Sequence, residues 1–137
     1  MQLNNTTQYA IRILNYMANE KEQTLFSAKQ ISEILNISYK FLTKIMTDLV
    51  KSGLINSIRG REGGYKLAKS PADIKLIEIL TICNEPISEE SCILGIGACD
   101  NENKCALHDQ WVTPKSLIRT MFEETSLENL EGCGFKI

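Results

Sequence analysis

No apolar run in these 137 residues approaches the roughly 18 consecutive positions that a membrane-spanning helix requires. The opening residues also lack a basic segment followed by an apolar core and a small-residue cleavage site, so the protein is expected in the cytoplasm. Histidine occurs once, and neither a phosphate-binding loop nor a dinucleotide fingerprint is present. With no second catalytic constellation in view, a binding function is expected and an enzyme is not. The five cysteines are an odd number, three of them crowded into fourteen residues while Cys83 and Cys133 stand apart. That spacing suits ligands or sensors in a reduced compartment better than a disulfide framework.

What is present is unevenly distributed. Net charge is −2, a poor match to nucleic acid, but residues 1–70 carry ten Lys/Arg against five Asp/Glu and residues 71–137 carry five against twelve. The first half is therefore basic enough to hold phosphates and the second is not.

Tyr9, Ala10, Ile13, Leu14 and Met17 recur at helical spacing and predict a first helix over 7–18. Ser27 and Gln30 read as a capping box before a second helix whose Ala28, Ile31, Ile34 and Leu35 point inward. A short turn at Asn36–Ser38 then leads to a third helix, Tyr39–Lys51, capped by Ser38, with Phe41, Leu42, Ile45, Met46, Leu49 and Val50 as its apolar positions. Gly53 ends it with a left-handed cap. Helix, short turn and helix is the skeleton of a helix-turn-helix. Strand-like runs at 54–58 and 64–67 follow, around a glycine-rich tip that holds Arg59 and Arg61. A hairpin in that place is a wing, with arginines set to reach phosphates or the minor groove.

Asp73 is expected to cap a fourth helix, Ile74–Cys83, in which Cys83 packs as a small buried hydrophobe. Residues 84–104 lose all periodicity. From Cys105 a last long helix is expected, with Leu107, Trp111, Ile118 and Met121 on a coiled-coil-like seam and Pro114 as a kink or true start. Thr125–Glu128 reads as a further cap before a short helix ending at Gly132.

The segment Cys92–His108 is the chemically richest. Three thiols and an imidazole suit an iron–sulfur cluster or zinc, and gaps of six and five residues between the cysteines are wider than the tight pairs usual for structural zinc. Gly95 and Gly97 let the backbone wrap closely, and Cys105 and His108 lie one helical turn apart. The other reading of these residues is a set of free thiols that sense oxidants without metal.

With these residues assembled, the chain resembles the Rrf2 family of bacterial regulators over nearly its whole length. The resemblance rests on Met1-Gln2-Leu3, Tyr9-Ala10, Gly53-Leu54, the wing string from Ser57 to Ala68, and Cys92, Cys99 and Cys105. It implies a homodimer on the long C-terminal helix, a partly palindromic operator in double-stranded DNA, and control of DNA affinity by cluster state. The family's IscR-like branch takes a fourth ligand from a histidine three residues beyond the last cysteine, where this chain has His108. The NsrR-like branch uses an aspartate of the first helix, where this chain has Gln8. The first cysteine gap is one residue longer than the family's usual five, which leaves open whether the cluster holds two or four irons.

The expected architecture is thus mainly α with a small β-hairpin wing: a winged helix-turn-helix over 1–83, a cysteine-rich cluster-binding loop over 84–104, and a dimerisation helix and tail over 105–137. The expected function is a DNA-binding regulator of the repressor type, gated by an iron–sulfur cluster on Cys92, Cys99, Cys105 and His108. Ser38, Tyr39, Lys40, Thr43 and Lys44 would meet the major groove, Arg59 and Arg61 would flank it, and Leu107, Trp111, Ile118 and Met121 would pair two copies. The competing functions are a metal-independent thiol-sensing regulator and, from another class, an iron–sulfur redox enzyme or electron carrier.

Overall fold

Asn4 opens the first helix, α1 (Asn5–Asn19), by accepting the Thr7 N–H on its side-chain oxygen at 2.8 Å. The apolar stripe read from the sequence faces inward, and Ala10, Ile13 and Leu14 are fully buried. α1 is the central element against which the rest packs. The computed structural model describes residues 2–88 and 90–130, so the expected stop at Gly132 and the outlying Cys133 lie outside the described residues.

α2 (Ala28–Leu35) and α3 (Tyr39–Lys51) form the helix-turn-helix. Ser27 caps α2 as expected, but the reciprocal half of the box does not form: the Gln30 side chain turns to the Tyr16 hydroxyl and to Gln23. Ile34 is also not inward. It is 55% exposed, because Ala28, Ile31 and Leu35 already fill the inner face of a helix of eight residues. Between the helices Asn36 takes a left-handed conformation (φ 53°), and the Ser32 hydroxyl donates to the Ile37 carbonyl at 2.6 Å. Ile37 is thereby driven into the core. Ser38 then caps α3 through the Phe41 N–H.

Strands β1 (Ile55–Ile58) and β2 (Gly64–Leu67) pair antiparallel, Ile55 opposite Leu67 and Ile58 opposite Gly64. Phe26 pairs with Tyr65 through two backbone bonds of 2.8 and 2.7 Å, so the α1–α2 connection serves as a third rung and holds the wing to the body.

Asp73 does not cap the fourth helix. It ends a short 3-10 turn, Pro71–Asp73, after which Ile74 and Lys75 are extended and α4 begins at Leu76 (Leu76–Ile82). The reason is tertiary. Leu76 donates to the Thr125 carbonyl and Leu127 donates to the Ile74 carbonyl, so this stretch of backbone is engaged with the end of the chain and is not available for a helix. α5 (His108–Glu124) carries Pro114 within it and delivers Phe122 into the same core as α1, α3 and α4, followed by Leu127 of a closing 3-10 turn. Cys83 is half-buried at the end of α4, and burial raises its thiol pKa, in keeping with a packing role. Among the described residues no helix is long and apolar enough to cross a membrane.

Gly64 sits where the wing crosses the body, with φ +155°, and a Cβ there would lie 2.6 Å from the Phe26 carbonyl oxygen. Gly64→Ala should therefore destabilise the fold by about 1–3 kcal/mol in a urea melt. The exposed neighbour Lys66→Ala should be close to neutral; equal midpoints for the two variants would show that the Phe26–Tyr65 rung is not under this constraint.

Candidate DNA-binding and cysteine site

Two separate surfaces carry the residues singled out in the sequence. On α3, Ser38, Tyr39, Lys40 and Lys44 are exposed and Thr43 is half-exposed, all at the amino-terminal end of the helix. The Ser38 oxygen is occupied as a cap, and the Thr43 hydroxyl donates to the Lys40 carbonyl at 3.0 Å. Tyr39 has no packing role to explain it, since it is 57% exposed. At the wing tip Arg59 and Arg61 are both exposed, set by a turn in which Gly63 donates to the Gly60 carbonyl.

The second surface lies at the other end of the molecule's long helix. The loop after α4 starts from Glu85, whose carboxylate accepts the Asn4 N–H at the head of α1. It then folds on itself: Ser91 bridges Ala98, and Cys99 donates its N–H to the Glu90 carbonyl at 2.8 Å. Gly95 and Gly97, at φ 69° and 60°, make the reversal between them. α5 holds this small hairpin by its backbone, Trp111 donating to the Ser91 carbonyl and Arg119 to the Ile87 carbonyl.

Of the four candidate ligands, Cys99 and His108 are brought into contact. Cys99 Sγ is 3.4 Å from His108 Nδ1, and the other ring nitrogen, Nε2, is 3.2 Å from Asn101 Oδ1. An amide oxygen only accepts, so Nε2 donates and Nδ1 is the atom turned to sulfur. His108 is 4% exposed, which removes it from the class of incidental surface histidines. The pKa of Cys92 is lowered, first by hydrogen bonds from the backbone N–H groups of Ile96 and Leu94, then by the Cys105 side chain and the Gly95 N–H. Among the described residues no three His, Cys, Asp or Glu side chains are gathered closely enough to hold a metal ion. Gln8 stays on α1 and donates to the Leu3 carbonyl.

A cleft of about 240 Å³ opens beside the Cys99–His108 pair, lined also by Asn101, Val112, Lys115, Ser116 and Arg119. Sequence reasoning missed Lys115 and Arg119. Their signal was available, seven and eleven residues beyond His108 on one helix face, two of only five cations in an acidic half.

The fold and both surfaces can now be set against known proteins. The model of the Rrf2 family, described as an iron-dependent transcriptional regulator, matches residues 3–131. The chain belongs to the Rrf2 family. Among Rrf2 relatives, the HTH-type transcriptional regulator NsrR of Oceanobacillus iheyensis is 34% identical over 133 residues, covering 95% of this chain and 89% of the relative. The structure of CymR, the global cysteine regulator of B. subtilis, superposes with a TM-score of 0.80 at 25% identity over 95% of both chains. T. potens IscR shares the fold, with a TM-score of 0.74 at 22% identity over 95% of this chain and 85% of that one. As an Rrf2 member with relatives named as helix-turn-helix transcription regulators, the protein is a DNA-binding transcription regulator and not an enzyme.

The α3 face and the wing arginines singled out in the sequence lie on the second helix of the helix-turn-helix and at the tip of the hairpin. The seam residues divide. Leu107 and Met121 are exposed at 42% and 52%, whereas Trp111 turns to the loop and Ile118 packs against the protein's own core. Leu117, at 66%, is the most exposed large apolar residue of α5.

Proposed function

We propose that the protein is a cytoplasmic, homodimeric repressor whose affinity for a partly palindromic operator is set by an iron–sulfur cluster. The observation that carries the reading is that Cys99 and His108 meet at the head of α5, with Cys92 and Cys105 in the segment that leads to it, while Phe122 near the tail of that helix is buried in the common core. The donor set fits the group by its chemistry: three soft sulfurs, backbone N–H groups already directed at Cys92, and a buried imidazole with one nitrogen fixed by Asn101. When bound, such a cluster supplies redox and nitric-oxide reactivity.

The residues of this chain would do the rest. Cys92 and Cys99 would draw the loop onto α5, and Cys105 and His108 would fix the first turn of the helix. In this division residues 1–83 read DNA, 84–104 carry the sensing loop and 105–137 join two copies. Ser38, Tyr39, Lys40, Thr43 and Lys44 enter the major groove, with lysines on phosphates and Thr43 and Tyr39 toward base edges, and Arg59 and Arg61 grip the backbone beside it. The dimer forms on the outward stripe of α5, where Leu107, Pro114, Leu117 and Met121 follow one another at seven, three and four residues and are all exposed. Trp111 and Ile118 support that stripe from behind. A coupling of roughly 1–3 kcal/mol between ligation and dimer geometry would change operator affinity about 5- to 150-fold.

One observation favours a second reading. Cys99 stands 3.4 Å from the imidazole of His108, an arrangement that also suits a regulator that senses oxidants through its thiols alone.

Anaerobic purification with visible absorbance and iron and sulfide analysis decides between them. A coloured wild type, a colourless Cys99→Ala and a labile but loaded His108→Ala are expected, with affinities for a site selected from random duplexes differing between loaded and metal-free protein. Equal affinity of all four forms, with the cluster confirmed, would remove the sensing role.

For the wing, Arg59→Ala and Arg61→Ala should each weaken binding to every duplex and flatten the salt dependence by about one phosphate, roughly 0.9 in log–log slope. Anisotropy titrations at several salt concentrations measure this; wild-type slopes in both variants would take the wing off the DNA. For assembly, Leu117→Glu should give monomers in sedimentation, since a dimer seam would bury the charge. An undisturbed dimer would place the interface elsewhere.

A further inference from the structure

Cys99, His108 and Asn101 form a chain of contacts that can occur only once, because the sequence contains a single histidine. Cys99 Sγ lies 3.4 Å from Nδ1 of the His108 ring, and Nε2 on the far side of that ring lies 3.2 Å from Asn101 Oδ1. With the ring proton committed to the amide oxygen, Nδ1 of the neutral imidazole presents its lone pair to the sulfur. A nucleophile, a base within hydrogen-bond reach and a third group that orients the base are the parts of an activated thiol. All three are held by their backbone surroundings. Cys99 donates its N–H to the Glu90 carbonyl, and His108, only 4% exposed, donates its N–H to the Cys105 carbonyl. Asn101 sits in a turn closed by Asp100 Oδ1, which accepts the N–H groups of Glu102 and Asn103 at 2.8 and 2.6 Å. Cys99 is half-buried, and the cleft of about 240 Å³ opens on it, with Val112 and Ser116 of α5 among its lining residues and neither Cys92 nor Cys105. A peroxide, little larger than a water of about 30 Å³, would leave most of that space unused, whereas a small organic molecule fits.

We propose that, in the metal-free protein, Cys99 is a nucleophilic thiol that exchanges with a small organic disulfide entering this cleft and becomes a mixed disulfide, with His108 as base and Asn101 as the residue that positions it. Sγ attacks one sulfur of the reagent while its proton passes to Nδ1; the S–S bond of the reagent breaks as the new S–S bond forms. The departing sulfur takes the proton from Nδ1 and leaves as a thiol. One protein thiol and one disulfide thus give one mixed disulfide and one free thiol, with no other oxidant needed. The adduct comes to lie between α5 and the loop, which hold each other there through polar contacts. The assignment deepens the thiol reading above, yet it concerns one side chain and is measured with neither DNA nor cluster, so the two can fail separately.

The test uses the full chain, stripped of metal and reduced, treated with 2-hydroxyethyl disulfide and blocked at intervals with N-ethylmaleimide. Fragment spectra of the tryptic peptides spanning residues 76–104 and 105–115 then give the rate at each thiol. Cys99 should gain the adduct faster than Cys83, Cys92 and Cys105. His108→Ala should slow Cys99 on the order of tenfold and leave Cys105 unchanged, less than the full contribution of a positioned base because a thiol is already a good nucleophile. His108 is buried, so exposed Asn101 gives an independent check. Asn101→Leu, which cannot accept from Nε2, should slow Cys99 as well, and Asn101→Asp, which can, should restore it. Val112→Trp, which fills the cleft, should slow Cys99 alone. An adduct forming on Cys92 or Cys105 as fast as on Cys99, or wild-type rates at Cys99 in both His108→Ala and Asn101→Leu, would overturn the assignment.

Discussion

Two backbone hydrogen bonds, from Leu127 to the Ile74 carbonyl at 3.0 Å and from Leu76 to the Thr125 carbonyl at 2.9 Å, decide how the rest of the molecule is used. Buried backbone groups need partners, and here the partners come from opposite ends of the second half of the chain. Closing them draws Phe122 and Leu127 into a core otherwise made by the four preceding helices, β1 and the segments between them. It also holds Ile74 and Lys75 extended, delaying α4 until Leu76. The consequence is a helix of seventeen residues anchored in the core at its tail by Phe122. Each buried apolar side chain at that anchorage contributes on the order of 1.5–3 kcal/mol, enough to make α5 and the DNA-reading body one mechanical unit.

At the head of the helix polar contacts add to the packing. Beside the apolar contact of Ile87 with the core, the loop is held by Trp111 to the Ser91 carbonyl, Arg119 to the Ile87 carbonyl and His108 to Cys99 and Asn101. Such bonds contribute about 0.5–1.5 kcal/mol net apiece, so the arrangement of the loop is open to change by a ligand or a covalent bond in a way the core is not. Lys115, only 5% exposed, and Arg119 line the cleft next to Cys99 and bring positive charge to a site rich in thiols.

The outward face of α5 follows from the same anchorage. Because Trp111 and Ile118 are needed to hold the loop and the core, they are withdrawn from the outer stripe, and Pro114 and Leu117 stand in their place between Leu107 and Met121. A seam chosen from spacing alone cannot make this distinction. Residues 111 and 118 and residues 114 and 121 have the same period, and only the direction in which the helix lies on its neighbours tells them apart.

Local chemistry was legible in the sequence. Ser27 and Ser38 as caps, the left-handed Gly53, the inward faces of α1 and α3 and the wing between Leu54 and Leu67 all depend on neighbours within a few residues. The last helix, expected from Cys105, starts only at His108, so Cys105 and His108 do not share a helix face. What the sequence did not contain was anything set by contacts across the chain. Asp73 carries a good capping side chain but loses the role because Thr125 and Leu127 claim the backbone beside it. Gln30 abandons its box for Tyr16, and Ile34 is left outside because eight residues of α2 cannot turn four apolar side chains inward. The pairing of Cys99 with His108 belongs to the same class. Spacing determines which donors a loop offers, but which of them meet depends on how α5 grips that loop, and that grip is made of long-range bonds no local pattern encodes.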